Sequence, residues 1–244
     1  MSRKTKAYIA LVIASGALLL LLAAGSWSSA NLKQFVIFLG LAALASALKV
    51  HIPGMESTIS PNFALLLLGM VALPFSQVAA VSLAAALVQS LWASAKRPRL
   101  VQVAFSAATL LVSSSLAYKF SHLILAGSGT ESPVVCVILA GSIYFPLNSA
   151  LVSIVIGLVE GQPLKQVCQR CYEWVFPYFM VGIAFAGLLS GVYTPSAVWE
   201  AALMLLPTMV LTYVYFLNRS ARALPAMLLP SSSEDDEYPV EVRS

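Results

Sequence analysis

Long runs of apolar residues alternate with short polar interruptions along the chain. A helix that crosses the roughly 30 Å hydrocarbon layer of a membrane needs about 20 apolar residues. A window based on that length predicts eight helical segments, at residues 7–24, 32–48, 63–75, 77–95, 101–125, 133–159, 172–191 and 198–217. The pattern therefore predicts an all-α fold, a polytopic transmembrane helical bundle of about eight spans.

Three of these segments carry features that affect their interpretation. The third is short, and "LPFSQ" at 73–77 predicts a tight turn, so residues 63–95 are expected to form a helical hairpin. The sixth contains Pro146, which predicts either a kinked helix or two shorter helices in line. The first follows "SRKTK" and is either a membrane span or a signal peptide, so cleavage within residues 1–30 stays open.

The stretch "LKVHIPGMESTISPN" at 48–62 is a polar interruption between two strongly apolar runs. Pro53 and Pro61 exclude a continuous helix. A connection between two helices usually takes about 2 to 8 residues, so this one is longer than its geometry requires. Non-helical backbone near a membrane survives only when it is buried in protein or lines a wet cavity. We therefore expect a re-entrant or lid-like segment, with an exposed loop as the alternative.

Polar side chains recur at helical spacing in three predicted helices and form a stripe on one face of each. The stripes are Gln102, Ser106, Thr109 and Ser113; Ser82, Gln89 and Trp92; and Ser142, Ser149 and Ser153, with Asn148 to one side. Small hydroxyl residues often serve helix packing, whereas primary amides inside a bundle need several partners and often mark a polar cavity. Both interpretations stay open for these stripes.

The ligand-binding hypothesis joins the proline-rich segment to the amides of the stripes. We expect residues 50–62 to cover a polar cavity lined by Gln89, Gln102 and Asn148. Glu173 is expected within one turn of a helix start, where a carboxylate meets the positive end of the helix dipole. The candidate ligand-binding residues are His51, Glu56, Asn62, Gln89, Trp92, Gln102, Asn148 and Glu173. For the ionisable members, a solvated position at the membrane surface is the alternative.

Composition and charge support a membrane protein. Only 10% of the residues are charged, against roughly 25% in soluble domains, and the mean hydropathy is +0.87. The formal net charge of +4 does not indicate nucleic-acid binding, because the basic residues are scattered at the ends of apolar runs. With eight spans and the N-terminus inside, all 14 lysines and arginines except Lys33 and Lys119 fall on the cytoplasmic side. Both termini and the 48–62 segment are therefore expected there.

Catalytic and metal-binding patterns are sparse in the sequence. It contains no G-x-S-x-G, H-E-x-x-H, Walker or G-x-G-x-x-G motif. Cys168 and Cys171 form a single C-x-x-C, but His51 and His122 lie far from it, and a structural zinc site needs four ligands. We therefore expect no enzymatic activity, no metal and no cofactor.

The composition changes after Arg222. Residues 223–244 contain a serine triplet followed by four consecutive acids at 234–237. Such a composition cannot bury enough apolar surface to fold by itself. The sequence therefore predicts an integral membrane domain at 1–222 and a disordered, acidic cytoplasmic tail at 223–244.

Three stretches together resemble a known family: "LKVHIPGMESTISPNFALLLLG" (48–69), "AALVQSLWASAKRPRLVQVAFSAA" (85–108) and "CQRCYEWVFPYFMVGIAFAGLLS" (168–190). They are similar to the N-terminal integral-membrane sensor domains of the MASE type, which precede HD-GYP or GGDEF output domains in bacterial cyclic-di-GMP signalling proteins. The resemblance implies a sensor in the bacterial cytoplasmic (inner) membrane, without assigning any ligand-binding residue. Because the acidic tail stands where the relatives continue into a signalling helix, we expect a module without that output domain.

The expected function is therefore a stand-alone sensor or regulatory module of the membrane. It would bind a small or lipophilic ligand and act through a partner protein, with the lipid bilayer as its surroundings. The proline-glycine segment followed by a helical hairpin is also distantly similar to the S components of energy-coupling-factor vitamin transporters. That similarity implies the alternative of a substrate-binding transport subunit, and a structural or assembly subunit is the third interpretation.

Overall fold

Helices dominate the computed structural model of the chain, and a short antiparallel β-hairpin accompanies them. The structure describes residues 2–48, 50–51, 58–60, 62–92, 98–194 and 197–200 and part of 202–218, without the side chains of 50–51, 58–59, 170–171 and 173–174. Its elements are α1 Arg3–Gly25, α2 Leu32–Ala47, β1 Val50–His51, β2 Thr58–Ile59, α3 Phe63–Ala72, α4 Phe75–Leu91, α5 Leu100–Ser128, α6 Pro133–Glu160 and α7 Leu164–Val192. Further helical residues lie between 198 and 218.

The all-α prediction is confirmed at the level of fold class, and α3 and α4 form the predicted helical hairpin. Its turn falls at Leu73 and Pro74. Within the described ranges, four helical stretches are long and apolar enough to cross a membrane: α1, α5, α6 and Val175–Val192 of α7. The apolar helices α2, α3 and α4 are shorter, with 16, 10 and 17 residues. The predicted tail at 223–244 lies outside the described residues.

Of the two alternatives predicted for the sixth segment, the structure has a single helix through Pro146 and not two shorter helices in line. One predicted boundary is wrong. α7 begins at Leu164, well before the predicted residue 172. Its first turns include Lys165 and Gln166. A polar helical extension gives no signal in a search for apolar windows, which is why the start was placed too late.

α3 is the central helix of the bundle. Every side chain from Phe63 to Met70 is buried, and α3 packs against α2, α4, α6 and α7. A helix that is apolar on all sides is stable where other helices surround it. Gly182 of α7 permits one close approach, because a Cβ added there would lie 2.9 Å from Cδ1 of Phe63.

α1 lies at the periphery of the bundle and packs mainly on α5. The two helices cross at Gly16 and Ala108, where a Cβ added to the glycine would lie 2.6 Å from the Cβ of the alanine. The outer face of α1 exposes the side chains of Leu11, Leu18, Leu21 and Leu22. An exposed apolar face of this length is suited to contact with lipid.

The connections between the helices define two ends of the bundle. The hairpin end carries the start of α1, the end of α2, strands β1 and β2, the end of α4, the start of α5 and residues 161–163. The opposite end carries residues 26–31, 73–74 and 129–132. The basic residues described at the hairpin end are all exposed: Arg3, Lys4, Lys6, Arg99 and Lys165. Lys33 stands at the start of α2, and Lys119 lies over the ring of Phe75 at the start of α4. These two lysines therefore belong to the opposite end.

Candidate functional site

The 48–62 segment leaves α2, turns back as a β-hairpin and enters α3. β1 and β2 pair antiparallel, with Val50 opposite Ile59 and His51 opposite Thr58. Residues 52–57, which include the candidate residue Glu56, lie outside the described residues, as does the side chain of His51. Pairing of this kind satisfies backbone groups within the segment itself. The chain therefore returns to the bundle as an ordered strand.

Four hydrogen bonds fasten the end of this segment to three helices. Ser60 Oγ donates to Gln89 Oε1 of α4 at 3.1 Å, and Asn62 Nδ2 donates to Ser46 Oγ of α2 at 3.0 Å. The hydroxyl of Tyr178 in α7 donates to the carbonyl of Ser60 at 2.8 Å and accepts from the N–H of Phe63 at 3.3 Å. We refer to Ser46, Ser60, Asn62, Gln89 and Tyr178 as the anchor cluster.

The Tyr178 hydroxyl takes the place of the hydrogen bond that closes a β-turn. It bridges the carbonyl of Ser60 and the N–H of Phe63, three residues later. In a β-turn, groups with this spacing bond to each other directly. The N–H groups of the first helical turn have no partner within the helix. A side chain from α7 therefore satisfies the first N–H of α3 and sets where that helix begins.

An aromatic cluster lies next to these bonds. The ring of Phe63 lies 4.2 Å from that of Phe179 and 5.1 Å from that of Tyr144, measured between centroids. Tyr144 and Phe179 stand near the middle of α6 and α7. Aromatic pairs at such distances add about 0.5–1.5 kcal/mol beyond the burial of their area. The anchor cluster is thus held at the level of the central part of the two long helices.

The structure brings only some of the candidate residues together. Asn62 and Gln89 meet in the anchor cluster, and Asn62 is 5% exposed. Trp92 ends α4 with 60% of its surface exposed. Gln102 is exposed, and its Oε1 accepts the N–H of Arg99, so its amide caps α5. Asn148 is half-buried, and its Oδ1 has no hydrogen-bond partner among the described residues. Binding of a ligand at these positions stays a prediction.

The structure corrects the predicted position of Glu173 in its helix. Because α7 begins at Leu164, Glu173 stands in the third turn, beyond the first turn in which the helix dipole acts. Its side chain lies outside the described residues. The argument from the dipole therefore no longer supports a role for this carboxylate.

Three members of the anchor cluster were not among the candidate residues: Ser46, Tyr178 and Ser60, which lies within the predicted 50–62 segment. Ser46 looks like a small packing residue in an apolar helix, and Tyr178 follows Pro177 in a run of aromatic residues. The position of the Ser46 hydroxyl, close to the start of the polar 48–62 segment, could have indicated a contact with that segment. Tyr178 meets Ser60 over a separation of 118 residues, and a single sequence carries no local sign of such a contact.

A second polar cluster lies at the opposite end of the bundle. Gln77 Nε2 donates to the carbonyls of Ser28 and Ala30, at 2.9 and 2.6 Å, and Ser28 N donates to Ser76 Oγ at 3.2 Å. Gln77 is fully buried. These contacts hold the 26–31 connection against the start of α4, and we refer to Gln77, Ser76 and that connection as the linker clamp.

Neither cluster gathers metal-binding groups among the side chains that the structure describes. Among the residues that the structure describes, no three His, Cys, Asp or Glu side chains come close enough to hold a metal ion. Cys136 is buried and Cys168 is exposed, and neither forms a disulfide. The chemistry available at the anchor cluster is hydrogen bonding by hydroxyl and amide groups beside aromatic rings.

Comparisons with known proteins assign the chain to a family. The MASE9 family model matches residues 7–194, a range that contains the β-hairpin, the anchor cluster and the linker clamp. No curated protein and no solved structure matches the chain. The match covers well over half of the 244 residues and confirms the resemblance to MASE-type domains. The chain belongs to the MASE9 family of membrane sensor domains.

Proposed function

We propose that this membrane sensor module binds a small or lipophilic ligand at the 50–62 segment and signals through a partner protein. The anchor cluster is the observation that carries the proposal. It fastens one short segment to α2, α4 and α7 through side-chain hydrogen bonds. A ligand that displaces the segment would therefore change the contacts of three helices at once.

The energies of these bonds suit a reversible contact. A hydrogen bond within a protein contributes about 0.5–1.5 kcal/mol net, because its groups otherwise bond to water. A ligand with its own amide, hydroxyl or carbonyl group would replace the bonds to Ser60 or Gln89 at little net cost. The rings next to the cluster are buried, and apolar parts of the same ligand would contact them once the segment is displaced. A molecule with both polar and apolar parts thus fits the site best.

The proposed arrangement in the bacterial inner membrane has eight crossings and both termini in the cytoplasm. The exposed basic residues at the hairpin end support it, since lysine and arginine favour the cytoplasmic side. The 50–62 segment would then enter the bundle from the cytoplasm as a re-entrant element. Reporter fusions after Arg99 and after Gly127 should read inside and outside, respectively. An outside reading after Arg99 would contradict this topology.

Native mass spectrometry of the purified full chain tests ligand binding. We expect a small molecule to co-purify with the wild type and to be lost from Gln89→Leu, because leucine cannot bond to Ser60. Gln166→Leu is the matched control, since Gln166 is exposed on α7. Equal bound mass in the wild type and Gln89→Leu would contradict a ligand site at the anchor cluster.

The partner is proposed to be an enzyme that makes or degrades cyclic di-GMP. The support is the resemblance to sensor domains that regulate such enzymes. Cross-linking in native membranes from Cys168, which is exposed at the hairpin end, tests this proposal. A cross-linked GGDEF or HD-GYP protein is expected, and Cys168→Ser should abolish the product. Cross-links to lipid alone, or to proteins without such domains, would count against it.

A substrate-binding transport subunit is the second candidate function. The feature that favours it is the β-hairpin between α2 and α3, an extended segment placed before a helical hairpin. A transport subunit needs an ATPase pair and a coupling subunit. Their presence among the cross-linked proteins, in place of a cyclic-di-GMP enzyme, would favour transport over sensing.

A further inference from the structure

Prolines interrupt the hydrogen-bond ladders of α6 and α7 at facing positions. Pro146 lies inside α6 and Pro177 inside α7. The rings of Phe145 and Phe176, the residues that precede the two prolines, lie 5.9 Å apart. Proline has no N–H, and inside a helix its ring collides with the carbonyl four residues earlier. Both helices therefore lack a backbone hydrogen bond at the same level of the bundle.

The two parts of α7 on either side of Pro177 differ in burial. After the proline, Tyr178, Phe179, Ala186 and Ser190 are buried, whereas Met180, Val181, Phe185, Leu188 and Val192 are exposed. Before it, Val167 is buried, and six of the described side chains are exposed: Leu164, Lys165, Gln166, Cys168, Gln169 and Tyr172. A segment with few buried contacts separates from its neighbours at a low free-energy cost. The first part of α7 is therefore the more easily displaced.

The adjacent part of α6 is held in place by α1. Thr5 Oγ1 donates to the carbonyl of Leu158 at 3.1 Å, and the Tyr8 hydroxyl donates to the carbonyl of Leu151 at 3.0 Å. Both bonds lie beyond Pro146, toward the hairpin end. The first part of α7 thus runs beside a surface of α6 that is fixed from its other side.

We propose that residues 164–176 of α7 form a lever that pivots at Pro177, and that Tyr178 couples its position to the anchor cluster. The inference rests on the proposed function, since it gives the sensing segment a mechanical output. Tyr178 directly follows the pivot, and its hydroxyl holds Ser60 and Phe63. Release of these bonds frees the residue next to the pivot. The lever ends at the hairpin end, where a cytoplasmic partner would meet it.

Distance measurements between two spin labels on the purified full chain test the lever without ligand or partner. One label is placed on Cys168 in the lever and the other on Val101→Cys at the start of α5, where 52% of the side chain is exposed. Cys136→Ala and Cys171→Ser remove the other thiols. Pro177→Ala restores the missing N–H, so we expect a narrower distance distribution. Pro163→Ala, at the N-cap of α7, should leave the width unchanged.

Tyr178→Phe tests the coupling and keeps the aromatic ring. We expect a broader distribution with a shifted mean, because the residue next to the pivot loses both hydrogen bonds. Equal widths in the wild type and Pro177→Ala, or an unchanged distribution in Tyr178→Phe, would overturn the proposal. If Pro177→Ala does not fold, the Tyr178→Phe measurement decides. A lever that responds while Gln89→Leu retains all bound mass would leave the lever standing and reject the ligand site.

Discussion

The anchor cluster and the linker clamp fasten connections at opposite ends of the bundle in different ways. In the linker clamp, the side chain of Gln77 bonds two backbone carbonyls of a short connection. In the anchor cluster, side chains of α2, α4 and α7 each make a separate bond to residues 60–63. The clamp therefore depends on two neighbouring residues of one helix, Ser76 and Gln77, whereas the anchor is divided among three helices.

This difference indicates different roles for the two connections. Backbone carbonyls are present whatever the linker sequence, so the clamp fixes a joint without regard to the side chains around it. Two of the anchor bonds join side chains, the other two join the Tyr178 hydroxyl to backbone groups, and bonds from different helices can break one at a time. The 26–31 connection is therefore the fixed one, and the contact at residues 60–63 is the separable one. Such an arrangement confines motion to the hairpin end.

The largest effect is expected for Tyr178→Phe. It leaves the carbonyl of Ser60 and the N–H of Phe63 buried without their partner, which costs about 2–3 kcal/mol of unfolding free energy. Thermal unfolding in detergent, followed by tryptophan fluorescence, measures the loss. Tyr172→Phe is the control, because Tyr172 is 50% exposed. Equal melting temperatures for the two variants would mean that the hydrogen bonds of the Tyr178 hydroxyl do not stabilise the fold.

The second-largest effect is expected for Gln77→Leu, with a loss of about 1–2 kcal/mol of unfolding free energy. The carbonyls of Ser28 and Ala30 lose their donor, but these residues are not buried and water can replace part of the bond. Proteolysis within 26–31 should become faster in this variant and stay slow in Gln166→Leu. A larger loss for Gln77→Leu than for Tyr178→Phe would reverse the ranking of the two clusters.

Ser46→Ala should cost about 1 kcal/mol, because the buried amide of Asn62 loses its acceptor. A double-mutant cycle with Asn62→Ala isolates this pair, and we expect a coupling energy of about 0.5–1 kcal/mol. Combining Ser46→Ala with Gln77→Leu should instead give additive losses, since in the described part of the chain the two clusters share no residue and no hydrogen bond. Strong coupling between them would show that the ends do not act separately.

The smallest effect is expected for Gln102→Leu, at about 0.5 kcal/mol. Its amide caps the exposed start of α5, where water can bond the free N–H of Arg99. Circular dichroism and the melting temperature should change little. A loss as large as that of Tyr178→Phe would mean that Gln102 has a structural partner besides the cap.

Helices were predictable from this sequence because lipid and core both select long apolar runs. The same reasoning placed the start of α7 late, since Lys165 and Gln166 are polar but helical. It selected Gln89 because an amide inside a bundle needs partners, and the structure shows a hydrogen bond from Ser60 to that amide. It left open whether residues 48–62 form a lid or a loop. The pairing of β1 with β2 was not predictable because it depends on which residues of the two strands come to lie opposite each other. Tyr178 was out of reach because its partner is distant in sequence.

The burial of α3 has a consequence for how the protein is made. α3 leaves the ribosome well before α6 and α7, which cover much of its surface. Until then the part of its surface that α6 and α7 cover has only lipid or the translocation machinery as neighbours. Closure of the core therefore waits for contacts of high sequence separation, which slow folding. Chains interrupted before α7 should be recognised by quality-control proteases as unfinished, even though most of their helices are already inserted.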